Sequence, residues 1–120
     1  ALELLNAGAR VIAVHDTNGA RRDDLVARLD SRFPGRAGAG PASPAGFDII
    51  VNATPLGMGP ADPPPIDLSA LSKSMFVGDV VSAKTTTPLV TAALGIGCRT
   101  CSGHDMFEAT LDLMLDCLLA

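Results

Sequence analysis

The chain has 120 residues, of which 48% are hydrophobic and 18% charged, and its mean hydropathy is +0.33, so it is not disordered as a whole. A net charge of -4 argues against general binding to a phosphate backbone, and 3% aromatic content without Trp or Tyr leaves no platform for stacking bases. No apolar run approaches the roughly 20 residues a membrane helix needs.

Leu2 to Ala7 has helical character and stops at Gly8, a residue suited to the position just past a helix C-terminus. Arg10-Val-Ile-Ala-Val-His15 is a β-branched run that predicts a buried strand. Thr17 or Asn18 then opens a helix with Leu25, Leu29 and Phe33 on one face, ended by Pro34-Gly35. Residues 35 to 46 read as a loop, with a short strand at Arg36 to Ala39. Phe47 to Asn52 predicts a second long strand, followed by a Pro-dense loop through Pro65 and a helical turn at Asp67 to Leu71. Met75 to Val81 is the next strand. Thr87 caps a helix with Pro88 at its first position; Leu89, Ala93 and Ile96 form its buried face and Gly97 closes it. Arg99 to Ser102 returns as a short strand, and a last helix begins after Gly103 with Phe107, Leu111, Met114 and Leu118 as its apolar stripe.

Cys98, Cys101 and Cys117 are too few and too irregular for a disulfide scaffold. Cys98 and Cys101 have C-x-x-C spacing, but no second pair or suitably spaced His completes a metal site, and the segment reads as a strand. They are expected to be small reduced core residues of a cytoplasmic protein. The opening Ala1-Leu-Glu-Leu-Leu carries neither an initiator Met nor a basic leader, which predicts an internal segment of a longer protein.

Strands alternating with helices, each strand apolar on both faces, predict an α/β fold with a doubly wound parallel sheet covered on both sides. Ligands bind such sheets beyond the carboxyl ends of the strands. That edge holds His15-Asp-Thr17, Asn52-Ala-Thr-Pro55, Asp79-Val-Val-Ser82 and Ser102-Gly-His-Asp105. Asp16 stands where a Rossmann half-fold carries the carboxylate that accepts from adenosine ribose hydroxyls; as an isolated residue it reads sooner as a helix N-cap or a solvated turn residue. The glycine-rich phosphate loop of such a fold would lie before Ala1, so residues 1-120 are expected to be a Rossmann-like dinucleotide-binding domain without its first strand and that loop.

The segment Asn52-Ala-Thr-Pro-Leu-Gly-Met58 resembles the N-A-T-P-x-G-M motif of shikimate dehydrogenases. Val77-Gly-Asp-Val-Val81, Thr87-Pro-Leu89, Gly97-Cys98 and Gly103-x-x-Met106 follow in that family's order. Each motif is weak alone, but five in sequence span essentially the whole chain. His15-Asp16 and Gly103-His-Asp-Met-Phe107 point to a divergent branch. The resemblance implies part of a nicotinamide-dependent oxidoreductase that moves a hydride to or from a hydroxyl-bearing ring carbon of shikimate or a similar acid. The family's catalytic Lys and Asp belong to an N-terminal substrate domain outside this chain, so the chain alone is expected to be inactive.

Carried over residue by residue, the resemblance assigns His15, Asp16, Thr17, Ala53, Thr54, Val80, Gly103 and Met106 to the cofactor. His15-Asp16-Thr17 replaces the Asn-Arg-Thr of NADP-using members, which favours NAD, with NADP an alternative. Ser82 stands in place of a substrate-binding Tyr and Thr110 in place of a substrate-binding Gln, so both are expected to face a small-molecule substrate that differs from shikimate or is held through water. Lys84 and His104 are expected to face solvent. The implied partners are that substrate and the N-terminal domain; neither nucleic acid nor membrane is expected. Alternatives are a dehydrogenase of another cyclic hydroxy acid such as quinate, and a nucleotide-binding or regulatory module without redox turnover.

Overall fold

The computed structural model describes residues 1–82 and 85–120; Lys84 lies outside them. The chain divides into two compact units, Ala1–Ala42 and Ser43–Ala120.

In the first unit, α1 (Leu2–Asn6) stops where Gly8 adopts φ 102, and Ala9 N donates back to Leu4 O at 2.8 Å. The strand that follows is shorter than its apolar run: β1 covers Ile12–Val14, leaving His15 beyond its end. α2 (Gly19–Arg32) is capped by the Asn18 side chain, which accepts from Arg21 N at 3.1 Å, and buries Leu29. Phe33 closes it, with the Arg36 guanidinium stacked 5.3 Å above the ring. β2 (Ala37–Ala39) then pairs parallel with β1, Ile12 opposite Ala37 and Val14 opposite Ala39. The unit is one β-α-β turn.

The second unit holds a three-stranded parallel sheet in the order β3 (Ile49–Asn52), β4 (Phe76–Asp79), β5 (Arg99–Cys101). Asp67 caps a short 3-10 turn, Leu68–Ala70, before β4. α3 (Pro88–Ile96) links β4 to β5: Thr87 Oγ1 accepts from Val90 N, Pro88 fills the first turn and Gly97 ends the helix at φ 91. Ile50, Leu71, Met75, Val77, Leu89, Ala93 and Cys98 form one apolar core on this side of the sheet.

Three expectations are corrected here. β3 is not covered on both faces: Ile49 and Val51 are 47% and 45% exposed, alternating with buried Ile50 and Asn52 as a period of two requires, whereas β4 is buried from Val77 to Asp79. Ile96 is 41% exposed, being the last residue of α3 at the turn where Gly97 diverts the chain. The last helix, α4 (Gly103–Leu119), begins at Gly103 and not after it, because Ser102 is its cap. Its Met106 reaches back to β4, where a β-carbon on Gly78 would lie 3.5 Å from the methionine Cε. Beyond that turn the apolar stripe Phe107, Leu111, Met114 and Leu118 is exposed, and so is Cys117; of the three cysteines, Cys98 is the buried one and donates from Sγ to Ser72 O. No helix among the described residues is long and apolar enough to cross a membrane.

Candidate functional site

In the first unit the relevant edge is the exit of β1. Asp16 Oδ1 accepts from Asn18 N at 2.7 Å, an Asx turn that leads into α2, so Asp16 is a turn residue and the cap itself is Asn18. The other oxygen, Oδ2, has the Arg21 guanidinium 3.8 Å away and remains able to accept from a ligand hydroxyl. His15 is exposed, with Nδ1 3.3 Å from Gly40 O. Thr17 is exposed.

In the second unit parallel register sets the site. It pairs Asn52 with Asp79, the last residues of β3 and β4, so two polar groups that end apolar strands become neighbours. Both are buried, at 3% and 1% exposure, as is Thr87 at 5%. Asn52 Nδ2 donates to Asp79 Oδ1 at 3.0 Å and to Leu56 O at 3.1 Å. Asn52 Oδ1 accepts from Thr54 N and from Thr54 Oγ1, at 3.1 and 2.7 Å. Asp79 Oδ1 also accepts from Val81 N at 3.1 Å, and Oδ2 accepts from Thr87 Oγ1 at 2.6 Å. Three donors on one buried carboxylate offset the large cost of removing it from water. Among the described residues no buried side-chain nitrogen or oxygen lacks a partner.

The residues expected at the cofactor divide in their behaviour. Thr54 is tied into this network: its hydroxyl donates to Asn52 and accepts from Leu56 N at 3.2 Å, which fixes the turn at Pro55. Ala53 is exposed beside it. Val80 is exposed and its N–H donates to Asn52 O. Gly103 is buried against the exit of β4, and Met106 covers Gly78 from the same helix. The cap of α4 is a reciprocal box: Asp105 N donates to Ser102 Oγ, and Asp105 Oδ2 accepts from Ser102 N at 2.7 Å and from its hydroxyl at 2.8 Å. Those two bonds, the backbone one first, hold the Asp105 carboxyl below the usual carboxylate range.

Ser82 is exposed on the chain that leaves β4, beyond Val80 and Val81, whereas the Thr110 hydroxyl donates to Met106 O at 2.8 Å. His104 is exposed, 3.3 Å from Glu108. An open cleft of about 340 Å³ lies between the starts of α3 and α4, lined by Val81, Thr85, Thr86, Ser102 and His104 among others. Sequence reasoning marked the segments that contain Asn52 and Asp79 and identified Thr87 only as a cap; their mutual network was missed. The available signal was a polar residue closing each of two successive apolar strands.

No family model matches the chain. It is 48% identical over 63 residues to a quinate/shikimate dehydrogenase (NAD(+)) of Corynebacterium glutamicum, covering 52% of this chain and 22% of that protein. It is 33% identical over 112 residues to a shikimate dehydrogenase (NADP(+)) of Arthrobacter sp., covering 88% of this chain and 38% of that protein. Among solved structures it is similar to quinate dehydrogenase from Corynebacterium glutamicum in complex with NAD, with a TM-score of 0.76, 34% identity, and coverage of 86% of this chain and 39% of that one. The ligand-free 5-ketofructose reductase of Gluconobacter sp. strain CHM43 has a TM-score of 0.74 and 29% identity, over 88% of this chain and 40% of that one. The chain therefore spans well under half the length of the relatives it matches. With its parallel strands, its strand-end motifs and these relatives, the chain is a Rossmann-like α/β segment similar to the C-terminal part of shikimate and quinate dehydrogenases.

Proposed function

We propose that the chain is the cofactor-binding part of an oxidoreductase that transfers a hydride between a nicotinamide dinucleotide and shikimate, quinate or a related cyclic hydroxy acid. The observation that carries this reading is the likeness, over 86% of the chain, to a quinate dehydrogenase solved with NAD. A bound dinucleotide would supply the hydride acceptor or donor; the residues here bind and orient it. Asp16 Oδ2 suits a ribose hydroxyl, and its negative charge disfavours a 2′-phosphate, so NAD is the preferred cofactor. Ala53, Thr54, Val80, Gly103 and Met106 are assigned to the nicotinamide side and Ser82 and Thr110 to the substrate side, with His15 and Thr17 flanking Asp16.

Nothing in this assignment moves a proton to or from the substrate. That role belongs, in this proposal, to a Lys and an Asp of an N-terminal substrate domain, and the chain alone is inactive. The free thiols accord with a cytoplasmic location. The reading is tested by assaying the full-length protein with quinate and with shikimate, each with NAD and NADP. Reduction of NAD by either acid supports it; a folded protein that binds NAD without turning over either acid favours the regulatory module instead.

A further inference from the structure

The buried network of the second unit has a direction. Thr54 donates to Asn52, Asn52 donates to Asp79, and Thr87 and Val81 donate to Asp79 from the other side. These three arms end on a carboxylate, which only accepts, while a second Asn52 N–H donates to Leu56 O within the turn. Neither local task requires this. Thr87 Oγ1 caps α3 by accepting from Val90 N, which needs no carboxylate, and Thr54 closes its turn by accepting from Leu56 N. What Asp79 adds is the connection between the turn after β3, the chain leaving β4 and the start of α3.

We infer that Asp79 is a positioning residue that locks the Ala53-Thr54 turn and the Val80–Ser82 exit to the N-terminus of α3, so that these strand ends meet the nicotinamide half of the cofactor in a single arrangement. The inference rests on the proposed function. Asp79 touches neither cofactor nor substrate; it is 1% exposed and acts through Asn52, Val81 and Thr87. The chemistry makes the isosteric amide informative. In Asp79→Asn the remaining oxygen still serves Asn52 and Val81, while the new N–H₂ faces the Thr87 hydroxyl. That hydroxyl already accepts from Val90 N, so its own proton loses its acceptor. The Thr87 arm is reversed and weakened, because the new N–H can only donate to the hydroxyl's second lone pair and the hydroxyl proton is left over, while the others survive.

The test uses the full-length protein with Asp79→Asn, Thr87→Val and Thr87→Ser. It reads kcat, KM for NAD, inhibition by ADP-ribose, which lacks the nicotinamide, and the melting temperature. Asp79→Asn and Thr87→Val should raise KM for NAD about tenfold, the equivalent of one lost hydrogen bond to a charged group, and lower kcat. ADP-ribose inhibition should stay within about twofold, because those bonds lie outside its half of the ligand. Thr87→Ser keeps the hydroxyl and should retain the wild-type KM. A lowered melting temperature with unchanged KM and kcat, in either of the first two variants, overturns the inference, as does a parallel loss of ADP-ribose affinity. Wild-type protein without nicotinamide turnover would instead overturn the functional reading, and the inference with it. If Asp79→Asn does not fold, Thr87→Val against Thr87→Ser decides.

Discussion

Gly103 meets the carbonyl of Val81 so closely that a β-carbon on the glycine would lie 2.4 Å from that oxygen and 2.7 Å from Ser82 N. The contact is backbone against backbone, so no side chain can swing aside. It brings the first turn of α4 directly onto the chain leaving β4.

Gly103→Ala should therefore force the two segments apart. Overpacking of this kind costs about 1–3 kcal/mol, and denaturant unfolding of the full-length protein measures it. Because Val80 and Ser82 flank the contact, kcat should fall as well. An alanine variant as stable and as active as wild type would contradict the close approach.

The Ser102-Asp105 box predicts a pH dependence. The Asp105 carboxyl titrates below the ordinary carboxylate range in the folded chain, held down by the Ser102 N–H and hydroxyl. A depressed folded value means that its stabilisation is fully present above the unfolded pKa and is lost as pH falls through the folded one. The difference in urea midpoint between wild type and Asp105→Ala should be constant near neutrality and shrink on acidification through and below the ordinary carboxylate range. An offset that persists undiminished through that range would show that the box does not stabilise the helix through its charge.

Much of this was legible in the sequence where the signals are local. Thr87, Pro88 and Gly97 mark both ends of α3, and Gly8 marks the end of α1, because caps and left-handed turns depend on one or two residue types. What was missed depends on distant neighbours. Ile49 and Val51 are as apolar as Ile50, and only the sheet's alternation says which side is covered. The Asn52–Asp79 pair requires the parallel register between two strands about two dozen residues apart, which no local pattern encodes. Gly103 reads in sequence as a turn residue before a helix; its crowding by Val81 exists only once β4 and α4 are packed.

In the proposed function, cofactor choice turns on Asp16. The full-length protein should show a higher kcat/KM for NAD than for NADP, and Asp16→Ala should narrow that ratio by about tenfold, since a ribose hydroxyl loses a charged acceptor and a 2′-phosphate loses a repulsion. Arg21, 3.8 Å from the carboxylate, is the group that would then favour the phosphate, so Arg21→Ala in that background should restore part of the NAD preference. A wild-type preference for NADP would refute the role given to Asp16.

Substrate choice is assigned to Ser82 and Thr110. Ser82→Tyr combined with Thr110→Gln should change KM or kcat for shikimate and quinate more than KM for NAD. The Thr110 hydroxyl already donates to Met106 O, so Thr110→Val alone should alter stability by no more than about 0.5 kcal/mol. Unchanged selectivity in the double variant, with a lowered melting temperature, would remove both residues from the substrate side.

The central claim is direct hydride transfer between a ring carbon and nicotinamide, and isotope transfer measures it. The full-length protein would be given quinate or shikimate bearing deuterium at the reacting hydroxyl-bearing carbon, with unlabelled NAD, and the reduced cofactor examined by NMR. Deuterium is expected on the nicotinamide ring, in one stereochemical position. Unlabelled reduced cofactor, or no reduced cofactor from a folded protein with either acid, would contradict it.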